Sequence, residues 1–211
     1  GNVVDLSQWV DRKKYLSPHS DLVALLVLQR QVTLHNLLTD ANHRARLLLH
    51  DSANSNRAAD RSESDVSRED AFLLDQIAEG VVDGLLMIDR LEFTEPVSGT
   101  SSFATDFSQQ GPIDPMGRSL RELDLRESLF KYSCSYLIYS DSFDSLPSPL
   151  LDRVYQRLLR VLEGKDERNK YAYLASEKRR ELLESVRATK EGFPIRSRTS
   201  SPTSPPTLPR Q

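Results

Sequence analysis

Residues 20–50, SDLVALLVLQRQVTLHNLLTDANHRARLLLH, form the longest apolar-rich run of the chain and contain no glycine or proline. Ser20 and Asp21 suit the start of a helix, because a hydroxyl at the N-cap and a carboxylate in the first turn satisfy free backbone N–H groups. Residues 22–28 are apolar on every side, which is typical of a helix enclosed by others. From Leu34 onward the apolar residues narrow to one stripe. The stretch therefore predicts one long helix, buried at its start and half-buried at its end.

The composition of the 211 residues is that of an ordinary soluble globular protein, with 28% charged and 38% hydrophobic residues. A chain of this length can bury a core, as one domain or as one domain with a tail. The net charge of −3 provides no overall basic field, so nucleic acid is not an expected partner. The wholly apolar segment 22–28 is far shorter than the about 20 residues that span a bilayer, so no transmembrane segment is predicted.

Residues 1–18 form an irregular lead-in before the long helix. Trp9 and Tyr15 are expected to pack on the helical body, since large aromatic side chains mostly serve in this way. The chain begins with glycine rather than methionine, and four apolar residues of the lead-in already require a surface to pack on: Val3, Val4, Leu6 and Trp9. We therefore expect the sequence to be the C-terminal fragment of a longer protein.

The polar residues 51–68 predict either a surface connection or a frayed helix end. Ser67 and Asp70 then have the spacing of a capping box, and apolar residues follow at helical intervals up to Ile88. Residues 92–118 contain three prolines and three glycines and show no helical period. They predict a long ordered loop that covers the body, and this loop is the first place to look for a ligand site.

Residues 119–146 are predicted to be helical, in two parts, of which the first begins at Ser119 with capping-box spacing. In the second part, residues 130–138 alternate as a strand would, but a longer aromatic stripe has helical spacing and ends at Pro147. We therefore prefer the helix. The side chains of this stripe, which form either core or an interface with a partner, are Tyr132, Tyr136, Tyr139 and Phe143.

Two more helices complete the prediction. Pro149 suits the first turn of one helix, which Gly164 ends, and Ser176 begins the last. Beyond Gly192 the composition changes to proline, serine and threonine, which predicts a disordered tail. The sequence as a whole predicts an all-α fold, an irregular helical bundle of five to six helices within residues 19–190, followed by the tail at residues 191–211.

Three of the four histidines lie on the long helix, which raises the question of a metal or haem site. At about 1.5 Å rise per residue, His35 and His50 are roughly 22 Å apart and cannot ligate one ion or one haem. Chelation from one helix requires residues four apart, and no pair of histidines has this spacing. No metal site is predicted, and a hydrogen-bonded polar role is preferred for His35.

Catalytic motifs are also absent from the sequence, which has no GxSxG, no glycine-rich phosphate loop and no paired cysteines. Cys134 is the only cysteine, so the sequence has neither an internal disulfide nor a CxxCH haem-attachment motif. Its surroundings carry no signature of a nucleophile, and a buried, inert thiol is predicted. We therefore expect no catalytic activity in this segment.

Two passages of the sequence resemble a known group of proteins. One is YLSPHSDLVALLVLQRQVTLHNLLTDANHRARLLLH at residues 15–50. The other runs from GTSSFATDFSQQGPIDPMGRSLRELDLRESLF at residues 99–130 into KYSCSYLIYSDSFDSLPSPLLDRVYQRL at residues 131–158. Together they resemble the C-terminal region of a largely uncharacterised group of bacterial exported proteins that is associated with c-type cytochromes or haem. The similarity covers about Tyr15 to Leu162. It implies a periplasmic location and a missing N-terminal part that carries any haem c, and it makes His35 and His50 the first residues to inspect as cofactor ligands.

Three functions are weighed on this basis. The leading one is a non-catalytic helical domain of a larger exported protein, which packs against the missing, haem-bearing domain and supports electron transfer or its assembly. The second is a cytosolic (cytoplasmic) protein-interaction module that binds a partner through the aromatic side chains of Tyr132–Phe143. The third is an enzyme whose site lies under the 92–118 loop, where Asp106, Asp114 or Arg118 meets His35.

Overall fold

The architecture is all-α, as predicted. The structure is a computed structural model that describes residues 4–11, 13–14, 19–166 and 168–194. Within these ranges there are six α-helices and isolated bridges, but no β-strand. Tyr15 and the predicted tail from residue 195 onward lie outside the described residues.

Helix α1, Leu22–Ala58, is longer than predicted and begins one residue later, because Asp21 rather than Ser20 is the N-cap. The Asp21 carboxylate accepts a hydrogen bond from the Ala24 N–H. Residues 51–58 continue the helix, so of the two predicted alternatives for 51–68 this part is a helix end and not a surface connection. The helix ends in a Schellman motif at Asp60, whose φ of 53° is left-handed, and the Arg61 N–H bonds to the carbonyl of Asn56.

The start of α1 is buried on one side only, which contradicts the prediction that it is enclosed. Val23 and Val27 are buried in the core, whereas Leu25 is 60% exposed and Leu28 is 53% exposed. Periodicity cannot distinguish an enclosed helix from one with a second, uncovered apolar face, because both are apolar all round.

Helix α2, Arg68–Leu85, has the predicted capping box. Ser67 Oγ accepts from the Asp70 N–H at 3.0 Å and donates to the Asp70 carboxylate at 2.8 Å. The helix ends in a second Schellman motif, in which Met87 has a left-handed φ of 55° and the Ile88 N–H bonds to the Asp83 carbonyl. Helix α2 packs on α1 and, more extensively, on α5.

The segment 86–147 between α2 and α5 contains little helix, which corrects the prediction for residues 119–146. It holds α3, Phe103–Ser108, within the predicted loop, a 3₁₀ turn at Tyr136–Tyr139, and the single turn α4, Asp141–Asp144. Residues 122–131 form a hairpin-like turn instead of a helix, closed by a hydrogen bond from the Lys131 N–H to the Glu122 carbonyl. Leu125 at its tip has a left-handed φ of 61°, which a continuous helix does not permit.

Helices α5, Ser148–Leu162, and α6, Ser176–Thr189, complete the bundle as predicted. Pro149 lies in the first turn of α5, and Gly164, with φ of 71°, ends it in a third Schellman motif. Because α5 contacts α2 on one side and α6 on another, it lies at the centre of the bundle.

Candidate functional site

His35 and His50, the two histidines that the resemblance singles out, are far apart and solvent-exposed. His35 Nδ1 lies 3.4 Å from the hydroxyl of Ser142, the hydrogen-bonded role predicted for it. The His50 side chain is 70% exposed and lies 3.3 Å from the Asp51 carboxylate. They do not form a joint site, and two exposed histidines on one helix do not fit a shared haem. In the part of the chain that the structure describes, no group of three or more His, Cys, Asp or Glu side chains is arranged to hold a metal ion.

The aromatic stripe lies in and against the core. Tyr132, Tyr136 and Phe143 are buried, and Tyr139 is half-buried against the same cluster. The Tyr136 hydroxyl donates to Gln31 on α1, and the Tyr139 hydroxyl pairs with Thr189 on α6. These side chains therefore join the irregular segment to the helices, and a role in binding a partner stays a prediction.

The 92–118 loop is ordered and is fixed to the body at two carboxylates, the first of which is Asp21. Besides capping α1, this carboxylate accepts from the backbone N–H groups of Thr100 and Ser101, both at 3.0 Å, and from the Ser101 hydroxyl at 2.6 Å. Burial raises the pKa of Asp21, but the hydrogen bonds from Ser101, Ala24 and Thr100 outweigh it and leave this pKa below its ordinary value.

The second carboxylate is Asp114, whose side chain is fully buried. It accepts from the backbone N–H groups of Met116 and Arg118 and forms an ion pair with the Arg118 guanidinium, which also reaches Glu184 on α6. Burial raises the pKa of Asp114, but these hydrogen bonds more than compensate and lower it. Both carboxylates thus hold the loop in place, and both are already hydrogen-bonded to groups of the protein itself.

The geometry expected of an enzyme under this loop is not present. Arg118 and Asp114 bind each other and α6, and Asp106 pairs with Ser102. Among the described residues, the only hydrogen-bonding neighbour of the His35 imidazole is Ser142. None of the three charged residues named for that function meets His35.

A cavity of about 440 Å³ opens where the end of α2, the 122–131 hairpin and the start of α6 meet. Only Glu92 and Phe93 belong to the predicted 92–118 loop. The other walls come from the residues after α2, the segment 127–133 and the segment 173–182. Its volume is within the range of small-molecule sites, roughly 300–1,000 Å³.

Aromatic and apolar side chains form part of the floor of this cavity, and its rim is charged. Tyr132, Leu174 and Leu182 are at most 5% exposed. Arg90 lies over the ring of Tyr173, with 4.8 Å between the guanidinium carbon and the ring centroid. Desolvation is the main reason that the pKa values of both tyrosines are raised, so the phenols stay protonated at neutral pH.

The rim carries three cations, Arg90, Lys131 and Lys178. Sequence analysis missed this site, because its cations are far apart in the chain and meet only through long-range packing. The one signal available was the loop that starts at residue 92, which pointed to the correct region but not to these residues.

A dense ion-pair network joins α2 to the segment after α5. Glu79 accepts from Arg157, Arg168 and Lys170, and Asp166, whose side chain is 6% exposed, accepts from Arg157 and Arg168. Burial raises the pKa of Glu79, but the hydrogen bonds and charges of Lys170 and Arg157 outweigh it and lower this pKa. Since the charges are paired with one another, we assign the network to stability.

The outer face of α1 is apolar and is not covered by the residues that the structure describes. Its side chains are each about half exposed and are Leu22, Leu25, Leu28 and Val32. Trp9 in the lead-in is 65% exposed, so the prediction that it packs on the helical body is wrong. The lead-in joins the start of α1 through the Ser20 N–H, which bonds to the Val4 carbonyl at 2.9 Å. Among the described helices, none is both long and apolar enough to cross a membrane.

Cys134 is buried, as predicted, and desolvation raises its pKa to about 12, so the thiol is neither a nucleophile nor a ligand at neutral pH.

Comparisons with protein-family models, with curated proteins and with solved structures find no match for this chain.

Proposed function

We propose that this chain is a non-catalytic helical domain of a larger exported bacterial protein, and that the outer face of α1 binds the haem-bearing part of that protein. The observation that carries the proposal is the uncovered apolar face formed by Leu22, Leu25, Leu28 and Val32. Exposed apolar side chains that cluster on one helix face are typical of binding surfaces, whereas scattered ones are not.

The lead-in adds two exposed apolar residues, Val4 and Trp9, whose expected packing surface is not supplied by the described part of the chain. Val4 is next to the start of α1, where its carbonyl accepts from the Ser20 N–H. Partner protein upstream of this segment is the simplest source of that surface. The resemblance over Tyr15–Leu162 gives this partner its chemistry, a domain with c-type haem in the periplasm.

The second function, a cytoplasmic interaction module that binds through Tyr132–Phe143, has less support. Three of the four aromatic side chains are buried, so a partner could reach them only after rearrangement of the core. The enzyme has the least support, because Asp114 and Arg118 pair with each other, Asp106 accepts from Ser102, and none of the three meets His35.

The first test is the absorption spectrum and pyridine haemochrome of the full-length gene product, purified from a host competent in c-type maturation. A Soret band with covalently bound haem is expected, and a colourless protein would overturn the haem part of the proposal.

The second test measures accessibility of the outer face of α1 in the same full-length protein. With Leu28→Cys, maleimide labelling is expected to be at least tenfold slower than with Leu47→Cys, a matched control at 54% exposure near the middle of the helix. Cys134 is buried and does not compete for the reagent. Equal labelling rates would contradict docking on this face.

A further inference from the structure

Aromatic and apolar side chains form part of the wall of the cavity between α2, the 122–131 hairpin and α6, beside its charged side chains. Tyr132 is 5% exposed, Leu174 4% and Leu182 1%, and Phe93 lies on the side of the 92–118 loop. A concave, largely preformed floor of this kind, with a few polar groups at its edge, is the usual form of a small-molecule site.

The rim favours an anionic group on that ligand. Three lining cations, Arg90, Lys131 and Lys178, outnumber the two lining carboxylates, Glu92 and Glu127. Each cation is already ion-paired near the surface: Arg90 with Glu92, Lys131 with Glu122 and Lys178 with Glu181, whose carboxylate side chains are 67%, 36% and 30% exposed. Surface ion pairs are worth about 0–1 kcal/mol, so an entering anion displaces them at little cost.

A cationic ligand is disfavoured because the aromatic faces that would receive it are in use. Arg90 covers the Tyr173 ring at 4.8 Å, and the Lys131 ammonium lies 5.6 Å from the centroid of Tyr132. An organic cation would have to displace one of these charges to make the same contact. An anion instead binds to the same two cations, Arg90 and Lys131, and leaves their contacts with the rings in place.

The hydroxyl of Tyr132 supplies a donor at the same place. The ring of Tyr132 is buried, but its hydroxyl oxygen keeps contact with solvent and makes no side-chain hydrogen bond within the part of the chain that the structure describes. The hydroxyl can therefore donate to a ligand oxygen in the cavity.

From this arrangement we propose that the cavity binds a small organic anion with an aromatic or apolar body, its acidic group held by Arg90, Lys131 and the Tyr132 hydroxyl, with Lys178 at the entrance. The ligand class is that of aromatic carboxylates and sulfonates. The site is separate from the outer face of α1 and does not depend on the function proposed for that face.

The test uses a matched pair of fluorescent probes that differ only in the sulfonate group, 8-anilinonaphthalene-1-sulfonate and the neutral N-phenyl-1-naphthylamine. The sulfonate is expected to bind at one saturable site at least tenfold more tightly than the neutral probe. Arg90→Gln and Lys131→Gln are each expected to weaken sulfonate binding three- to tenfold, and Tyr132→Phe two- to fivefold.

Two controls separate this site from other surfaces. Arg160→Gln removes an exposed arginine of α5 that does not line the cavity, and the double variant Leu25→Ser/Leu28→Ser removes the apolar face of α1; neither should change sulfonate binding. If Arg90→Gln alters the near-ultraviolet circular dichroism, Lys131→Gln and the exposed Lys178→Gln carry the test. Equal affinity for both probes, unchanged binding in the cation variants, or loss of binding in the α1 variant would overturn the proposal.

Discussion

Replacement of Asp21 by alanine should detach the 92–118 loop from α1 and destabilise the whole domain. The carboxylate accepts four hydrogen bonds, one from Ala24 at the helix start, one from Thr100 and two from Ser101. Loss of an N-cap costs about 1 kcal/mol, and each of the three loop bonds contributes about 0.5–1 kcal/mol at this partly exposed position. We therefore expect Asp21→Ala to lower the free energy of unfolding by about 2.5–4 kcal/mol.

Urea unfolding followed by circular dichroism measures this loss, and hydrogen-exchange mass spectrometry locates it. Exchange should accelerate in residues 97–102 and in the first turn of α1 more than in α5. The matched control is Asp40→Ala, on the same helix, whose one ion pair among the described residues is with Arg44 across one turn at 3.5 Å. Asp40→Ala should lower the free energy of unfolding by less than about 0.5 kcal/mol. A loss for Asp21→Ala no larger than that of the control would refute the reasoning.

The same carboxylate makes a prediction about acid. Because the pKa of Asp21 is lower in the folded protein than in the unfolded chain, its contribution is complete above the unfolded pKa, near 4, and disappears as pH falls through the folded value. Stability of the wild type should therefore fall more steeply below pH 4 than that of Asp21→Ala, in urea titrations at pH steps from 6 to 2. Parallel curves would contradict this assignment.

Three further changes test the packing and the termini. Gly164→Ala should lower the free energy of unfolding by about 1 kcal/mol, because φ of 71° is left-handed while the nearest neighbouring atom is 3.8 Å from an added Cβ; an unchanged denaturation midpoint would argue against backbone strain. Arg157→Leu should lower the free energy of unfolding by about 2–4 kcal/mol, because it leaves Glu79 and the buried Asp166 with fewer partners. A double-mutant cycle with Glu79→Gln should show a coupling energy above about 1 kcal/mol. Cys134 should resist Ellman's reagent at pH 8 until the protein unfolds, because burial raises its pKa to about 12; rapid labelling of the native protein would show that the thiol is accessible.

The parts of the fold that the sequence predicts well are those with local signals that agree. Helix α5 has a proline in its first turn, an amphipathic stripe and Gly164 at its end, and α2 has the reciprocal bonds of Ser67 and Asp70. Each signal acts within a few residues, so tertiary structure does not have to be known.

The failures occur where long-range contacts decide. Ser119 and Glu122 have capping-box spacing, yet the chain turns there, because the 122–131 hairpin pairs with the loop through the bridge between Glu92 and Ser128. The helical spacing of Tyr132–Phe143 is likewise a coincidence of pattern, since the chain there has only a 3₁₀ turn and one helical turn. The anion cavity is built from these same long-range contacts, which is why it could not be predicted.

The irregular segment 86–147 also has a consequence for the order in which the chain folds. The most extensive helix contact, between α2 and α5, joins parts of the chain that this segment separates, whereas α1 and α2 are joined by the short connection 59–67. Closing a loop of about 60 residues carries a length-dependent entropic cost of about 4 kcal/mol, which must be met before the contacts between α2 and α5 can form. The α1–α2 and α5–α6 pairs should therefore form early, and their docking, with ordering of the loop and the anion cavity, should set the folding rate.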